Sequence, residues 1–554
     1  MGATKKFSVK TTFFDRIINS ISPERGLSRL KARAALNFLE DSGYVVPGSN
    51  KKTVRAWHPT SDTADRDSIP KLEDIRRGCR DLTMNSPIAN APLNREWTNA
   101  VGWGLILQSR IDRELLGMSD DEAEEWERNT EREFNVWAKS KDCDAARTLN
   151  FFEMQGHIMY NTSLSGDVFA LLPYIKRPGK VYDLSISVLE ADMVCNPPSI
   201  IDNNKVAGGV EVDEYGAPVK YYFKKLRMDN ATLGSTTFDD FVPIPAFGAE
   251  SGRRNVLHLY HKLRPGQRRG IPMLAPVIDA MKQLSRLTEA ELAASVINSF
   301  FTVFVKTNPA TSGLADGYIP EDSEVDEDED PRDEYHYELG SGSVVELAKD
   351  GQEIQLADPK RPNENFEPFF MGICKMIGAS TNIPYEQLIL HFQSSYSAAR
   401  AALLEAWKFY RIRRVWLASE FCQPVFEAWL IEAILMGRIV AHGFFDDPSI
   451  MAAWCGTTWT GPGQGQIDPL KESKATEILL SDKTPLSDFE TEHARIYGTD
   501  WEDSMTRLSR QKKFLKSHEL IPEQPQQGMQ PVQPQQGNEI EERVEELESV
   551  SPEQ

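Results

Sequence analysis

Arg264-Pro265-Gly266-Gln267-Arg268-Arg269-Gly270-Ile271-Pro272-Met273 joins a basic turn to a long apolar-periodic stretch. Pro265 fixes φ and Gly266 accepts backbone conformations that other residues avoid, so the pair reads as a turn. Arg264, Arg268 and Arg269 crowd positive charge around it and mark a charged hinge. Gly270 releases the backbone, and Pro272 suits the first turn of a helix. Leu274, Ile278, Met281, Leu284 and Leu287 then recur at three- and four-residue spacing. The pattern predicts a helix over 272–300, roughly 40 Å long at about 1.5 Å per residue. Nothing in the stretch is catalytic; it reads as a rigid strut with a hinge at its base.

Composition narrows what surrounds the strut. A chain of 554 residues exceeds one compact core, so several domains are expected. The net charge of -21 argues against a general nucleic-acid coat, which needs a basic surface. It leaves room for a passage in which DNA slides without sticking. The six cysteines (79, 143, 195, 374, 422, 455) form no CxxC pair, which suits free thiols and disfavours a zinc site. The first ten residues lead into no apolar core of a secretory signal. The longest uncharged apolar-rich run, 292–305, has 14 residues. A membrane span needs about 20, so the run is expected to be buried or to form a subunit contact.

The strut divides two regions of different texture. Residues 1–58 carry eleven Lys/Arg and four Asp/Glu, a basic arm before an acidic remainder. Helical periodicity follows over 69–83 and 90–103, broken at Asn85-Ser86-Pro87, and again over 122–138 and 149–164. From 168 to 260 the pattern is strand-like, with a hairpin turn at Asp213-Glu214-Tyr215-Gly216. This predicts an α+β region with a mostly antiparallel sheet. Beyond the strut, 321–330 holds eight acidic residues in ten (Glu321, Asp322, Asp326, Glu327, Asp328, Glu329 and Asp330 among them). Such a run repels itself. Short strands are expected at 343–347 and 353–356, and a helix over 365–380. A long helix then runs from Tyr396 to about Gly437, kinked or interrupted at Pro424. Residues 470–516 read as short helices, and 521–554 as a Gln/Pro-rich acidic tail.

No phosphate loop, HExxH or GxSxG motif occurs, so no catalytic, metal or cofactor residue is assigned. His258 and His261 sit three apart on a strand end, which aims them to opposite sides. Lys408, Arg411 and Arg414 fall along one helix face, with Arg413 beside them. That face is a solvated or subunit-bridging surface, or a guide for DNA phosphate. Trp407, Phe421 and Trp429 read as packing anchors.

A series of landmarks runs in order across about 70–500. It includes Arg80-Asp81-Leu82, Asn85-Ser86-Pro87, Asn99, Val101, Gly102, Gly104, Gly166-Asp167, Glu190-Ala191-Asp192 and Asn196-Pro197. Gly209-Val210-Glu211, Asp213, Gly216 and the joint at 264–272 follow. Asp358-Pro359, Pro384-Tyr385, Tyr396-Ser397-Ala398-Ala399-Arg400, Trp459, Gly461-Pro462, Asp468-Pro469 and Lys471-Glu472 close it. Each is weak alone; together they resemble the lambda-type portal proteins of tailed bacteriophages.

The resemblance implies a non-enzymatic α+β portal fold and a ring-shaped homo-oligomer, usually of twelve subunits, at one capsid vertex. Its parts would be a basic arm (1–59), an α/β wing (60–262), a hinge and first stem helix (263–300) and a small α/β clip (301–362). A second stem helix (363–383), a tunnel loop (384–395), a long kinked helix returning to the wing (396–467), a helical crown (468–520) and the tail (521–554) complete it. Gln387, His391, Gln393, Ser394, Ser395 and Arg400 are its candidate channel residues. Double-stranded DNA in transit, the terminase large subunit, head-completion and connector proteins, and major capsid and scaffold proteins are its implied partners, with no membrane. Two rivals stand beside it. A metal-dependent nuclease needs a compact carboxylate cluster on defined strands. A shorter viral connector ring lacks the strut, clip and returning strut.

Overall fold

A computed structural model of the protein describes residues 56–59, 62–225, 240–299, 303–307, 352–356, 366–392, 395–464, 469–481 and 486–518. At 297–299, 303–307, 352–356, 396 and 503 the description covers the backbone alone. Two compact units emerge, Met1–Leu72 with Lys262–Arg269, and Glu73–His261 with Gly270–Gln554. Helix and sheet are mixed, as the sequence suggests.

The first helix, α1 (Ala64–Asn85), ends before Ser86, and Pro87 opens α2 (Pro87–Glu96) as a helix-initiating proline should. A π-turn at Trp97–Val101 carries α2 onward to β1 (Ile106–Ser109). The single turn α3 (Arg113–Leu116) precedes α4 (Asp120–Lys139). Ser119 and Glu122 close a capping box at the start of α4, and Asn150 and Glu153 do the same for α5 (Phe151–Ser165). Two small sheets follow. In one, β2 (Asp167–Leu171) lies between β3 (Ser187–Glu190) and β8 (Val256–Tyr260). In the other, β4 (Val206–Ala207), β5 (Val210–Val212), β6 (Pro218–Lys224) and β7 (Phe241–Pro245) form a meander. Every described strand pair is antiparallel.

The strut starts later than its spacing predicts. Leu274 to Val277 passes through a 3-10 turn, with Pro276 in its first positions, and α6 spans Ile278–Ser299. Pro272 therefore lies outside the helix, which is about 33 Å long at 1.5 Å per residue. Strands β9 (Val303–Thr307) and β10 (Gln352–Leu356) pair antiparallel, and the first of these was hidden in the apolar run 292–305. The expected strand at 343–347 and the acidic run 321–330 lie outside the described residues.

Helix α7 (Phe366–Thr381) packs against α6, and a short α8 (Tyr385–Ile389) follows Pro384. The long helix is three pieces: α9 (Tyr396–Leu417), a π-turn at Ala418–Cys422, and α10 (Gln423–Leu435). The interruption falls just before Pro424, and the buried Phe421 and Cys422 lie within it. Helix α11 (Pro448–Trp454) leads to β11 (Thr457–Thr460), which pairs with β1 across some 350 residues of chain. Three helices, α12 (Pro469–Leu479), α13 (Phe489–Tyr497) and α14 (Trp501–Ser517), end the described chain.

One large core joins α4, α5, β1 and β2 to α9 and α10. Phe134 meets Trp429 edge-on with centroids 5.0 Å apart, and Phe151 stacks on Phe421 at 5.5 Å. Phe421 and Trp429 are the packing anchors their spacing suggests, and Trp407 packs against the same core. A second core gathers Cys79, Leu82, Leu93, Met281, Leu284, Ile377 and Leu388 from α1, α2, α6, α7 and α8. A third closes the two sheets on Phe169, Tyr221 and Phe223.

Candidate functional site

The basic turn is fastened rather than free. Arg264 Nη1 lies 2.6 Å from Asp67 Oδ2, and its Nη2 donates to the Asp62 carbonyl at 3.0 Å. Arg268 donates through its backbone N and Nε to the two carboxylate oxygens of Asp65, at 2.9 and 2.6 Å. Asp65 and Asp67 occupy the first turn of α1, where carboxylates also suit the helix dipole. Gln267 ties the turn internally: its Oε1 accepts from the Leu263 and Arg264 amides, and its Nε2 donates to the Arg269 carbonyl. Arg269 is only 2% exposed. Of the three arginines only Arg264 stays half in solvent, and it is ion-paired.

Just beyond the turn, two landmarks 104 residues apart meet. Gly166 has φ +90°, and a Cβ there would lie 2.5 Å from the Gly270 carbonyl oxygen; one on Gly270 would lie 2.0 Å from that of Gly166. Only two glycines allow this backbone-to-backbone approach. Asp167, fully buried, accepts from Arg76 Nη2 at 2.6 Å and from the Gly270 amide at 3.2 Å, and its Oδ2 is 3.2 Å from His258 Nε2. Arg76 also donates to the Ser165 carbonyl and to Asp192, and Arg80 reaches Asp192 and Ser165 Oγ. His261 turns away from this cluster and lies over Trp416, ring centroids 4.1 Å apart.

The channel segment begins at the end of α7. Asn382 takes φ +57°, the Ile383 amide returns to the Gly378 carbonyl, and Pro384 opens α8. Leu390 takes φ +54° and stops α8 after one turn and a half. Gln387 is buried. Its Oε1 accepts from Tyr410 OH at 2.8 Å and its carbonyl accepts from Arg95 Nε at 3.0 Å. Gln387 therefore anchors the segment and does not present an amide to a passing ligand, which corrects its assignment as a channel-facing residue. His391 and Arg400 are half-buried, and Ser395 is exposed with its Oγ 3.3 Å from Ser397 Oγ. Gln393 and Ser394 lie outside the described residues, as do Glu321 to Asp330. What this segment exposes is apolar: Leu390 is 61% and Phe392 54% accessible.

Helix α9 sorts its cations by face. Lys408 and Arg411 point outward, Lys408 pairing with Glu405 at 2.6 Å. Arg414 points inward and donates to the Ala100, Asn99 and Pro462 carbonyls at 3.1, 3.3 and 2.8 Å. Burial pulls its guanidinium down to about 10. A Cβ on Gly461 would sit 2.5 Å from Arg414 Nε, so Gly461-Pro462 is shaped to admit that arginine. The expected row of three cations is corrected accordingly: Arg414 clamps backbone and is not available to phosphate. Beside it, Arg413 Nε lies 2.8 Å from Glu96 Oε1, an ion pair without hydrogen-bond alignment. Glu96 is fully buried and receives a short hydrogen bond from Ser163 Oγ. Burial raises its carboxyl above the ordinary range, against the pull of Arg413 and Ser163.

Between the end of α7, residues 382–386 and α9 lies a cavity of about 640 Å³. Phe409 and Ile412 line it with Lys375, Lys408, Glu386 and Glu405. Its charged groups are two cations and two carboxylates, and no group of His, Cys, Asp and Glu among the described residues could hold a metal ion.

Comparison with known proteins names the scaffold. The model of the lambda family of phage portal proteins matches residues 50–414. This chain belongs to that family. The portal protein of Escherichia phage N15 is 24% identical over 473 residues, covering 83% of this chain and 87% of its own. Portal protein B of Escherichia phage lambda is 24% identical over 490 residues, covering 85% and 90%. A chain from a native gene transfer agent virion superposes with a TM-score of 0.38 at 12% identity, over 75% of this chain and 96% of that one. Portal proteins of this family are structural, non-enzymatic components of the phage particle. The buried ion pairs around Asp167 and Glu96 are accordingly read as fold-setting contacts of a portal protein.

Sequence reasoning missed the Glu96–Arg413 pair, the Tyr410–Gln387 bond and the role of Arg95. Each couples residues tens or hundreds of positions apart, and no local spacing signals them. Arg413 was visible beside Arg414 as a cation on an otherwise apolar face, which was the one available hint.

Proposed function

We propose that this chain is the subunit of a ring, expected at twelve copies, through which the duplex DNA genome is packaged and ejected.

 We infer the ring from the surfaces α6 and α7 leave open. Leu292 and Val296 on α6, and Phe369 and Met376 on α7, are half or more exposed in the single chain. Two paired helices cannot cover both of their sides within one subunit, and neighbouring copies in a closed ring would cover them. That observation, joined to the family, carries the reading.

In this reading residues 60–262 form the wing, 263–300 and 363–383 the two stem segments, 301–362 the clip and 468–520 the crown. Residues 384–395 narrow the channel, with α8 held at its base by Tyr410 and Arg95. The exposed Leu390 and Phe392 then give the constriction an apolar rim that offers duplex DNA little to bind. An acidic subunit suits such a passage, because the duplex carries a charge about every 1.7 Å and tight binding would stall it. Lys408 and Arg411 supply weak local guidance. The terminase large subunit docks on the clip during packaging, and head-completion and connector proteins take its place afterwards. The ring occupies one vertex of the virion, where it meets major capsid and scaffold proteins, after assembly in the host cytoplasm.

Electron microscopy of the purified protein, averaged end-on, tests the proposal. Rings with a central hole and about twelve-fold symmetry are the expected result. Monomers or dimers at every protein and salt concentration would overturn it. Deleting 391–395 tests the constriction: unchanged packaging and genome retention would remove that segment from the mechanism.

A further inference from the structure

Helix α14 carries a one-sided run of positive charge. From Ser504 to His518 it holds Arg507, Arg510, Lys512, Lys513 and Lys516 and no acidic residue, in a protein whose net charge is -21. All five cations are exposed. Elsewhere, exposed helical cations tend to sit beside a carboxylate three or four positions away, as in Arg66–Asp62, Arg77–Glu73, Arg128–Glu124 and Lys408–Glu405. On α14, none of the five lies within ion-pair distance of a carboxylate among the described residues. Thr506, Ser509, Gln511 and Ser517 stand among them, hydrogen-bond donors of the kind that contact phosphate.

The geometry points to α14 as a docking surface for the phosphate backbone of duplex DNA. This deepens the proposed function, on which it rests for its setting, by naming a contact away from the channel segment. At 3.6 residues per turn the five cations cover more than half the helix circumference. Met505, Leu508 and Leu515 share a narrow apolar sector and the exposed Phe514 stands apart from them among the cations, whereas a helix lying in a membrane surface needs one broad sector. From Arg507 to Lys516 the helix rises about 14 Å, a length over which a duplex presents about eight charges. The contact is electrostatic and indifferent to sequence. In an otherwise acidic particle it would hold DNA at one end without binding it along the passage.

The test uses the full chain and a short labelled duplex, followed by fluorescence anisotropy from about 50 to about 200 mM salt. The variant carries Arg507→Gln, Arg510→Gln, Lys512→Gln, Lys513→Gln and Lys516→Gln. Glutamine keeps helix propensity, and circular dichroism with end-on imaging confirms that the variant folds and assembles as the parent does. Parent protein should bind with affinity that falls steeply with salt. The variant should bind roughly tenfold or more weakly at low salt, with a log–log slope reduced by up to about 4.5, since each lost phosphate contact removes about 0.9. Equal affinities and slopes would overturn the proposal. So would retention on anionic phospholipid vesicles without duplex binding. A second variant, Lys408→Gln with Arg411→Gln, separates the two readings. Loss of slope there and not in the α14 variant would overturn the docking surface and leave the channel reading standing. Loss in the α14 variant from protein that forms no rings would support the docking surface while the ring reading fails.

Discussion

At the residue scale, buried charges decide which substitutions this chain tolerates. Removing one partner of the Glu96–Arg413 pair leaves the other charge stranded beside Ser163, at a cost of about 3–5 kcal/mol. Glu96→Gln and Arg413→Met should each lower the melting temperature sharply, and the double variant should lose less than the sum, which a double-mutant cycle by thermal denaturation would read. Two further groups set opposite pH slopes. Burial, and then the charge of Arg413, pushes His261 down to about 3. The unfolded imidazole takes its proton near 6.5, so the stability His261 contributes is complete above about 6.5 and is lost as pH falls toward 3. Burial pushes Glu131, which accepts from the Ser109 amide at 2.7 Å, up to about 7. Its contribution is complete below about 4.5 and is lost as pH rises through 7. Glu131→Gln keeps an acceptor for Ser109 and should flatten the loss between pH 5 and pH 7.5, whereas His261→Phe should flatten the loss on the acid side. Denaturant midpoints across pH would show both, and unchanged slopes would refute these assignments.

At the element scale, close approach and interruption matter more than propensity. Gly270→Ala forces a Cβ to within 2.0 Å of the Gly166 carbonyl, so β2 and the chain leaving the basic turn must move apart. A loss of about 1–3 kcal/mol or more is expected, with weakened bonding at Asp167. Gly266→Ala meets open space but keeps the strain of φ +77°, and should cost only about 1 kcal/mol. Comparing the two melts tests whether packing or backbone conformation makes the joint glycine-dependent. The break in the long helix has a different cause. Phe421 and Cys422 in the π-turn are fully buried in the main core, so Pro424→Ala should leave the interruption in place and shift stability by less than about 1 kcal/mol. Regular α-helical bonding through 418–422 in the variant would show that the proline alone made the break.

At the scale of the whole molecule, the single subunit leaves apolar side chains exposed on α6 and α7. Leu292→Glu with Val296→Glu alters side chains that are 66% and 50% exposed, so the isolated subunit should keep its helix content and stability to within about 0.5 kcal/mol per site. In a ring those positions would be desolvated, and a buried unpaired carboxylate there is costly. Folded subunits that no longer form rings are the expected outcome, read by circular dichroism and sedimentation; rings of normal stability would show that these positions face solvent in the assembly.

Much of the fold was legible in the amino-acid order because its signals are local. Capping residues at Ser119 and Asn150, the break at Ser86-Pro87, the hairpin turn at Asp213 to Gly216 and the aromatic spacing in α9 and α10 all act within a few residues. The landmark series pointed to the family for the same reason: its short motifs of glycine, proline and charged residues can be read off the chain locally. What the order could not tell was which of those residues meet. Gly166 and Gly270, Arg414 and Gly461, Gln387 and Tyr410, and β1 and β11 find one another only when distant segments pack, and no spacing along the chain encodes a contact 50 or 350 residues away. The same limit explains the corrected site. Gln387 and Arg414 looked like polar groups awaiting a ligand because their sequence neighbours leave them unpaired, and tertiary structure supplied the carbonyls and hydroxyl that satisfy them. A buried polar group must find partners somewhere, and in this chain they come from segments that only folding brings near.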